Sequence, residues 1–311
     1  MTTPAKLKPS TPQVAPFLRS LFDAEPDSWV AVDEGGYSGL GRWFVGWDDG
    51  RSAFVKAAVG DGAERGLPNE GRIYQDLQAP WLPELFGYQG GGDDVPAVLV
   101  IEDLSTARWG TPIDVQDASL LRDALEEIAD HEALYWLDPE PKLLKGRWAS
   151  DLAAAPARLA ESGLVDGGWL AQAMPDLLAA ERSVDLDGDR LLHPDLFLQN
   201  WCRADRGAVL VDWAHACRGN PEFNLAWGEL GVRSAGGPAH VVLAPGQPGW
   251  SAYMAGLIAW FLLDHDEPPS PRLAETERRE AYAGMCWAAD ELGLARPAPA
   301  PGFLPAGPWR P

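Results

Sequence analysis

The first third of the chain alternates short apolar runs with glycine- and aspartate-rich breaks, which is the pattern of strands joined by turns. Trp29–Val32 reads as a strand and Gly35 to Gly41 as a flexible turn. Arg42–Trp47 forms a second strand, Asp48-Asp49-Gly50 a turn, and Ser52–Lys56 a third strand. The period then changes: Ile73, Tyr74 and Leu77 recur at helical spacing in the stretch that begins at Asn69. Pro80–Phe86 and Pro96–Ile101 are further strand candidates on either side of the cluster Gly90 to Asp94.

Beyond Asp117 the pattern becomes mainly helical. Leu120, Leu121, Ala124, Leu125, Ile128, Leu134 and Trp136 broadly follow a 3.6-residue period. Helical material continues through Ala149–Leu159, Leu170–Arg182 and Leu225–Leu230, and ends with Tyr253–Leu263 and Ala274–Leu292. Residues 1 to about 15 read as a loose lead-in, Ser234 to Gly249 as a long loop set over the substrate, and Ala295 to Pro311 as a proline-rich tail. The helical part is interrupted once, by Leu191 to Trp213. There, apolar runs Leu196–Cys202 and Ala208–Val211 flank Ala204-Asp205-Arg206-Gly207, the signature of a hairpin.

That hairpin carries the candidate chemistry. His193, Asp195 and Asn200 stand in the order HxDxxxxN, and Asp212 closes the second run. Folding back would bring three oxygen-bearing side chains together, a donor set suited to a hard cation such as Mg²⁺, which completes its shell with water and phosphate oxygens. Phosphoryl transfer has the same needs, with a carboxylate to accept or orient the proton of the attacking hydroxyl. Each residue also has a plainer reading: Asp195 as a turn cap, Asn200 and Asp212 as strand-end residues, His193 as a core histidine.

The stretch resembles the catalytic loop and metal-binding aspartate of the protein-kinase-like superfamily, and more closely its aminoglycoside phosphotransferase and small-molecule kinase family. There the loop usually reads HGDLxxxN, followed by a DW or DF step; here it is His193-Pro194-Asp195-Leu196-Phe197-Leu198-Gln199-Asn200, then Asp212-Trp213. The resemblance covers about residues 25 to 295 and implies an α+β, two-lobed fold. A small, mostly antiparallel lobe with one helix, residues 1–103, would bind the nucleotide, and a larger helical lobe, residues 104–311, would carry the catalytic hairpin and the acceptor.

The same resemblance gives roles to residues that are weak signals alone. Gly36, Ser38 and Gly39 would let the backbone approach phosphates, although the cluster is neither GxGxxG nor a Walker motif and also suits an ordinary hairpin turn. Lys56 stands among apolar neighbours, so its ammonium needs a partner. Glu70, 14 residues on, fits that part better than Glu64. The step Ile101-Glu102-Asp103-Leu104 matches the hinge, where backbone groups near Glu102 and Leu104 would bind adenine. Asp195 would act on the hydroxyl proton, and Asn200 and Asp212 would hold Mg²⁺. His193 would fix the loop's shape, and His131, which opens an HExx sequence completed by Tyr135, would pack within its helix.

One position departs from the family pattern: Asn224 stands where an aspartate is usual, which would change how the loop is braced or how the substrate pocket is built.

Composition narrows the partners. A net charge of −21, from 25 Lys and Arg against 46 Asp and Glu, argues against nucleic acid and against anionic membranes. Cys202, Cys217 and Cys286 are odd in number and lack a CxxC, which fits a reducing compartment and hence the cytoplasm. The run Ala252 to Leu263 is too short to span a bilayer. Fifteen tryptophans are expected to fill cores. No sequence feature identifies a protein partner. The expectation is an ATP- and Mg²⁺-dependent phosphotransferase acting on a hydroxyl of a small molecule, because an APE segment and an activation loop are not seen after Asp212. A nucleotide-binding module without transfer activity is the alternative, and a metal-dependent hydrolase would leave Lys56 unexplained.

Overall fold

The structure is a computed structural model that describes residues 11–32, 40–58, 66–92, 95–110, 112–137, 152–153, 159–160, 163–264 and 271–298. In chain order the elements are α1 Thr11–Phe22, β1 Ser28–Ala31, β2 Gly41–Gly46, β3 Ser52–Ala58, α2 Gly66–Asp76, β4 Leu85–Gln89, β5 Ala97–Ile101 and α3 Val115–Asp130. There follow α4 Gly167–Glu181, β6 Arg190–Leu192, β7 Trp201–Ala204, β8 Gly207–Leu210, β9 Cys217–Gly219, α5 Glu222–Ser234, α6 Pro248–Asp264 and α7 Pro271–Glu291. The chain divides into two compact units: Met1–Arg108 with Ala204–Ala216, and Trp109–Arg203 with Cys217–Pro311.

The first unit is built on an antiparallel sheet in the order β1-β2-β3-β5-β4. Strand β3 is central, and its alternation sends Ala53, Val55 and Ala57 to one face, where they join Trp43, Val45, Val98 and Val100 in a core. Helix α1 covers that face with Val14 and Leu18, both fully buried. The expected loose lead-in is therefore corrected from Thr11 onward. Val14, Phe17, Leu18, Leu21 and Phe22 form an apolar stripe at helical spacing, although Pro16 inside the helix forgoes one backbone hydrogen bond.

The expected strand at Pro80–Phe86 is displaced to Leu85–Gln89. Pro80 and Pro83 have no N–H to give a ladder, and the chain turns there instead, with the Leu82 N–H donating to the Ala79 carbonyl at 3.0 Å. The segment 204–216 is tied to that turn. Leu210 N–H donates to Trp81 O at 2.8 Å, Arg206 donates to the carbonyls of Pro80 and Leu82, and Trp213 packs on Trp81 with ring centroids 5.3 Å apart.

In the second unit, α3 opens on a capping box in which Asp114 and Asp117 each accept the other's backbone N–H. It ends at Asp130, short of the expected Trp136. His131 is the extended C-cap, and its carbonyl accepts from Leu191 N–H while Ala133 N–H donates to Asp189 O, so pairing with the chain before β6 draws residues 131–133 out of the helix. Strand β6 pairs antiparallel with β9. Helices α5, α6 and α7 pack together, with Trp227 and Trp287 fully buried.

The run Leu196–Cys202 is not one strand. Leu198–Asn200 forms a 3-10 turn, and β7 starts at Trp201. Asn200 donates its N–H to Phe197 O at 2.8 Å and its side-chain amide to Asp195 O at 2.6 Å, local bonds that compete with a ladder. The 235–247 loop exists as expected and is pinned by two carboxylates. Glu229 accepts from the N–H groups of His240, Val242 and Leu243, and Glu291 from those of Gly246 and Gln247. The helix expected at Ala149–Leu159 lies mostly outside the described residues, as does the tail beyond residue 298. Among the described residues no helix is long and apolar enough to cross a membrane.

Gly71 shows how closely α2 lies on the sheet: a Cβ there would come within 2.5 Å of the Tyr88 ring. Gly71→Ala is expected to destabilise the protein by about 1–3 kcal/mol, read as a lower midpoint in urea denaturation.

Candidate active site

Lys56 lies on the face of β3 opposite the apolar core, 5% exposed, and is held by Glu70 of α2, which is 0% exposed. Its Nζ donates to Glu70 Oε1 at 2.9 Å and Oε2 at 3.0 Å and lies 3.2 Å from Asp212 Oδ1. Tyr74, one turn after Glu70, donates its hydroxyl to Glu70 Oε1 at 3.1 Å. Burial works against the charged ammonium, but Asp212 and then Glu70 outweigh it and hold the Lys56 pKa above its ordinary value. Burial, with the charges of Glu70 and Asp212, pushes Tyr74 well above the usual phenol value, so it keeps the proton it donates.

Asp212 adopts the left-handed conformation, φ 67° and ψ 52°, rare for a residue with a side chain. That turn aims its N–H at Glu70 Oε1, 3.1 Å away, and sets its carboxylate beside Lys56. Two carboxylates thus face one ammonium. Glu70 is enclosed, while the Asp212 side chain is 36% exposed and open to a further cation. The sequence marked all three of these residues as site candidates but Tyr74 only as a periodic helix position; its place four residues after Glu70 was the available signal.

In the other unit the loop after β6 brings together His193, Asp195 and Asn200. His193 is 1% exposed, and its Nδ1 accepts the Asp195 N–H at 3.4 Å, so the ring carries its proton on Nε2. The Asn200 side-chain nitrogen faces the Asp195 carbonyl. That carbonyl can only accept, so the amide orientation is fixed and its oxygen is the end that would meet a cation.

Asn224, fully buried on α5, braces this loop from both sides. Its Oδ1 accepts the His193 N–H at 2.9 Å, and its Nδ2 donates to Leu191 O at 3.1 Å. An ionised aspartate would meet the first need and repel the Leu191 carbonyl. The neutral side chain therefore holds the loop through two backbone groups at once.

Helix α7 adds a carboxyl the sequence reading passed over. Glu280 is 1% exposed, and the Leu198 N–H approaches its carboxyl without closing a full hydrogen bond. Burial, then Glu277, then Asp195, raise its pKa well above the usual carboxylate value, only partly opposed by the Leu198 N–H. The signal was its spacing: Glu277 and Glu280 share a helix stripe with the buried Ala281, Met285 and Ala288.

At the expected hinge, Glu102 and Leu104 lie at and after the end of β5. The Glu102 N–H donates to Glu84 O at 2.9 Å. Its carboxylate is gripped by Arg206 through two nitrogens, and Arg206 is the first cause of its lowered pKa. Gly36, Ser38 and Gly39, and the rival Glu64, lie outside the described residues.

Residues 29–255 match the family model APH, described as the phosphotransferase enzyme family. The chain belongs to this family. The fold is shared with a choline/ethanolamine kinase family protein from Mesorhizobium loti, 15% identical, covering 91% of this chain and 98% of that one at a TM-score of 0.52. A macrolide 2'-phosphotransferase from Brachybacterium faecium is 16% identical over 86% of this chain and 96% of that one, TM-score 0.48. No curated protein matches the sequence. The chain is thus a phosphotransferase-family protein with a protein-kinase-like fold, as its motifs implied.

Among the described residues of this phosphotransferase no three His, Cys, Asp or Glu side chains form a metal-binding group.

Two outcomes follow. Asn224→Asp should lower stability at neutral pH by about 1–3 kcal/mol, because a buried carboxylate replaces a satisfied amide, with the penalty fading in acid as the new group protonates and regains a donor. Glu280 has a folded pKa above its unfolded one, so its contribution to stability is fully present below the unfolded value, about 4.3, and is lost as pH rises from there. Glu280→Gln should therefore match wild type near that acid limit and exceed it at neutral pH, measured as urea midpoints across pH.

Proposed function

We propose that this protein transfers the γ-phosphoryl group of ATP to a hydroxyl group of a small molecule, with Mg²⁺ as the metal. The observation that carries this reading is Lys56, a buried ammonium held between Glu70 and Asp212. A cation kept charged under burial suits a polyanion, and Asp212 is left accessible to a metal that arrives with it.

In this reading Lys56 binds the α- and β-phosphates and Glu70, steadied by Tyr74, positions it. Mg²⁺, when bound, neutralises charge on the transferring phosphate, with Asp212 and Asn200 as its protein ligands. Backbone groups at Glu102 and Leu104 bind adenine, and the backbone around Gly36, Ser38 and Gly39 approaches the phosphates. Asp195, half-buried and carrying the one negative charge of its loop, accepts or orients the proton of the acceptor hydroxyl.

The acceptor is a small molecule such as an aminoglycoside, choline, a sugar or another natural product. That Cys202, Cys217 and Cys286 form no disulfide supports a reducing compartment, the cytoplasm.

A panel of hydroxyl compounds screened for ADP release tests the proposal. Wild type is expected to turn over at least one member. Asp195→Ala, Asp212→Ala and Lys56→Met, each confirmed folded by circular dichroism, should lose about 10²–10⁴-fold in kcat. Wild type that binds Mg·ATP but phosphorylates nothing across the panel would replace this reading with that of a nucleotide-binding module.

A further inference from the structure

We propose that Arg206, in the turn between β7 and β8, is a positioning residue for the nucleotide: by gripping the Glu102 carboxylate it fixes the backbone that receives the base. The inference rests on the phosphotransfer reading, in which backbone groups at Glu102 and Leu104 bind adenine, and adds the residue that holds them in place.

Arg206 stands in the turn Ala204-Asp205-Arg206-Gly207, closed by Gly207 at φ 124°, a conformation that suits glycine. Its guanidinium uses all three nitrogens. Nη1 donates to Glu102 Oε1 at 2.8 Å and Nη2 to Glu102 Oε2. Nε donates to Pro80 O at 3.0 Å, and Nη2 also donates to Leu82 O at 3.1 Å. A planar fork on a carboxylate fixes both its distance and its orientation, which a point charge does not.

Glu102 passes that geometry to the main chain. Its Oε2 accepts the Glu84 N–H at 3.1 Å, and its own N–H donates to Glu84 O at 2.9 Å. The residue before β4 and the residue after β5 are thus tied through one side chain, and Arg206 holds that side chain. Stability alone is a poor account of the pair. The two side chains are 36% and 25% exposed, and ion pairs that face solvent contribute little to folding.

The place of the clamp separates its effect from that of Lys56. Lys56 on β3 pairs with Leu99 on β5, and Glu102 follows three residues later, roughly 10 Å along the strand. A nucleotide with its phosphates at Lys56 therefore meets the clamped backbone with its base. The phosphate end has fastenings of its own. Asp212 is held by Lys56 and Glu70, and the segment on either side of it by Leu210 N–H on Trp81 O and by the Trp213 ring on Trp81. None of these contacts runs through Arg206, so loss of the clamp loosens the base site and spares the phosphate site.

The test titrates the full chain by calorimetry with two magnesium-bound ligands: AMP-PNP, a non-hydrolysable ATP analogue that carries the base, and inorganic tripolyphosphate, which lacks it. Arg206→Ala and Glu102→Ala are each expected to weaken AMP-PNP about tenfold and to leave tripolyphosphate within about twofold of wild type. The double variant is expected to lose no more than either single one, because both remove the same contact. That comparison needs AMP-PNP alone and stands even where tripolyphosphate binds too weakly to titrate. Arg206→Lys, which keeps the charge without the fork, is expected to bind AMP-PNP with intermediate affinity, and it serves should Arg206→Ala fail to fold. Wild-type affinity for AMP-PNP in Arg206→Ala, equal weakening of both ligands, a loss confined to Arg206→Ala, or additive losses in the double variant would each overturn the proposal. Any of these in a protein that phosphorylates a hydroxyl compound would leave the phosphotransfer reading intact. Clamp-dependent AMP-PNP binding without transfer to any acceptor would keep Arg206 in this role and end that reading, and wild type that binds no nucleotide would end both.

Discussion

A single ammonium group, that of Lys56, sets the arrangement of the first unit. An ion in a poorly solvated interior must be paired, and Lys56 finds Glu70 on a helix and Asp212 on a segment 142 residues further along the chain than Glu70. Strand β3, helix α2 and the turn after β8 are held to one geometry by that requirement. The close approaches follow from it: Gly71 lies against the Tyr88 ring, and Gly66 faces Ala214, whose Cβ would be 2.9 Å from any Cβ placed there. A buried ion pair is seldom the most stable way to fill such space, since apolar residues of similar size often do as well or better. Its presence is consistent with the phosphate-binding use proposed for the charge, with Asp212 on the side open to solvent.

The loop around Asp195 is organised on the opposite principle. Asn224, the His193 ring and backbone groups hold it, and none of these brings a net charge. The amide holds two backbone groups at once and leaves the electrostatics of the loop to Asp195 and the carboxyls of α7.

Much of this was legible in the sequence because it depends on short-range pattern. Alternation from Ser52 to Lys56 marked β3, and the order of Lys56, Glu70, Asp195, Asn200 and Asp212 marked the family. What was not legible depended on competition between signals. The stripe Val14 to Phe22 is a clear helix face, but Pro12 and Pro16 suggested otherwise, and only burial against the sheet shows that the apolar stripe wins. The run Leu196–Cys202 has strand composition, yet Asn200 bonds locally and turns it into a 3-10 bend before the strand begins. Helix α3 has a periodicity that continues past Asp130, and pairing with residues 189–191, distant in sequence, cuts it short. Pattern within a window cannot report a partner 60 residues away.

Glu229 and Glu280 show why residue type and burial alone do not locate function. Both are glutamates in helices of the same unit, and both are essentially inaccessible. Glu229 accepts four hydrogen bonds, from the Arg233 side chain and from the N–H groups of His240, Val242 and Leu243, and it thereby fixes the loop that follows its helix. Every lone pair it offers has a use inside the fold, and a ligand would have to displace protein groups to reach it. Glu280 makes no such set of bonds among the described residues, and Glu277 and Asp195 add their charge to the effect of its burial. In the first case the surrounding chain accounts for the buried acid. In the second, burial itself holds the carboxyl well above the usual carboxylate value, so the acid is kept in its neutral form.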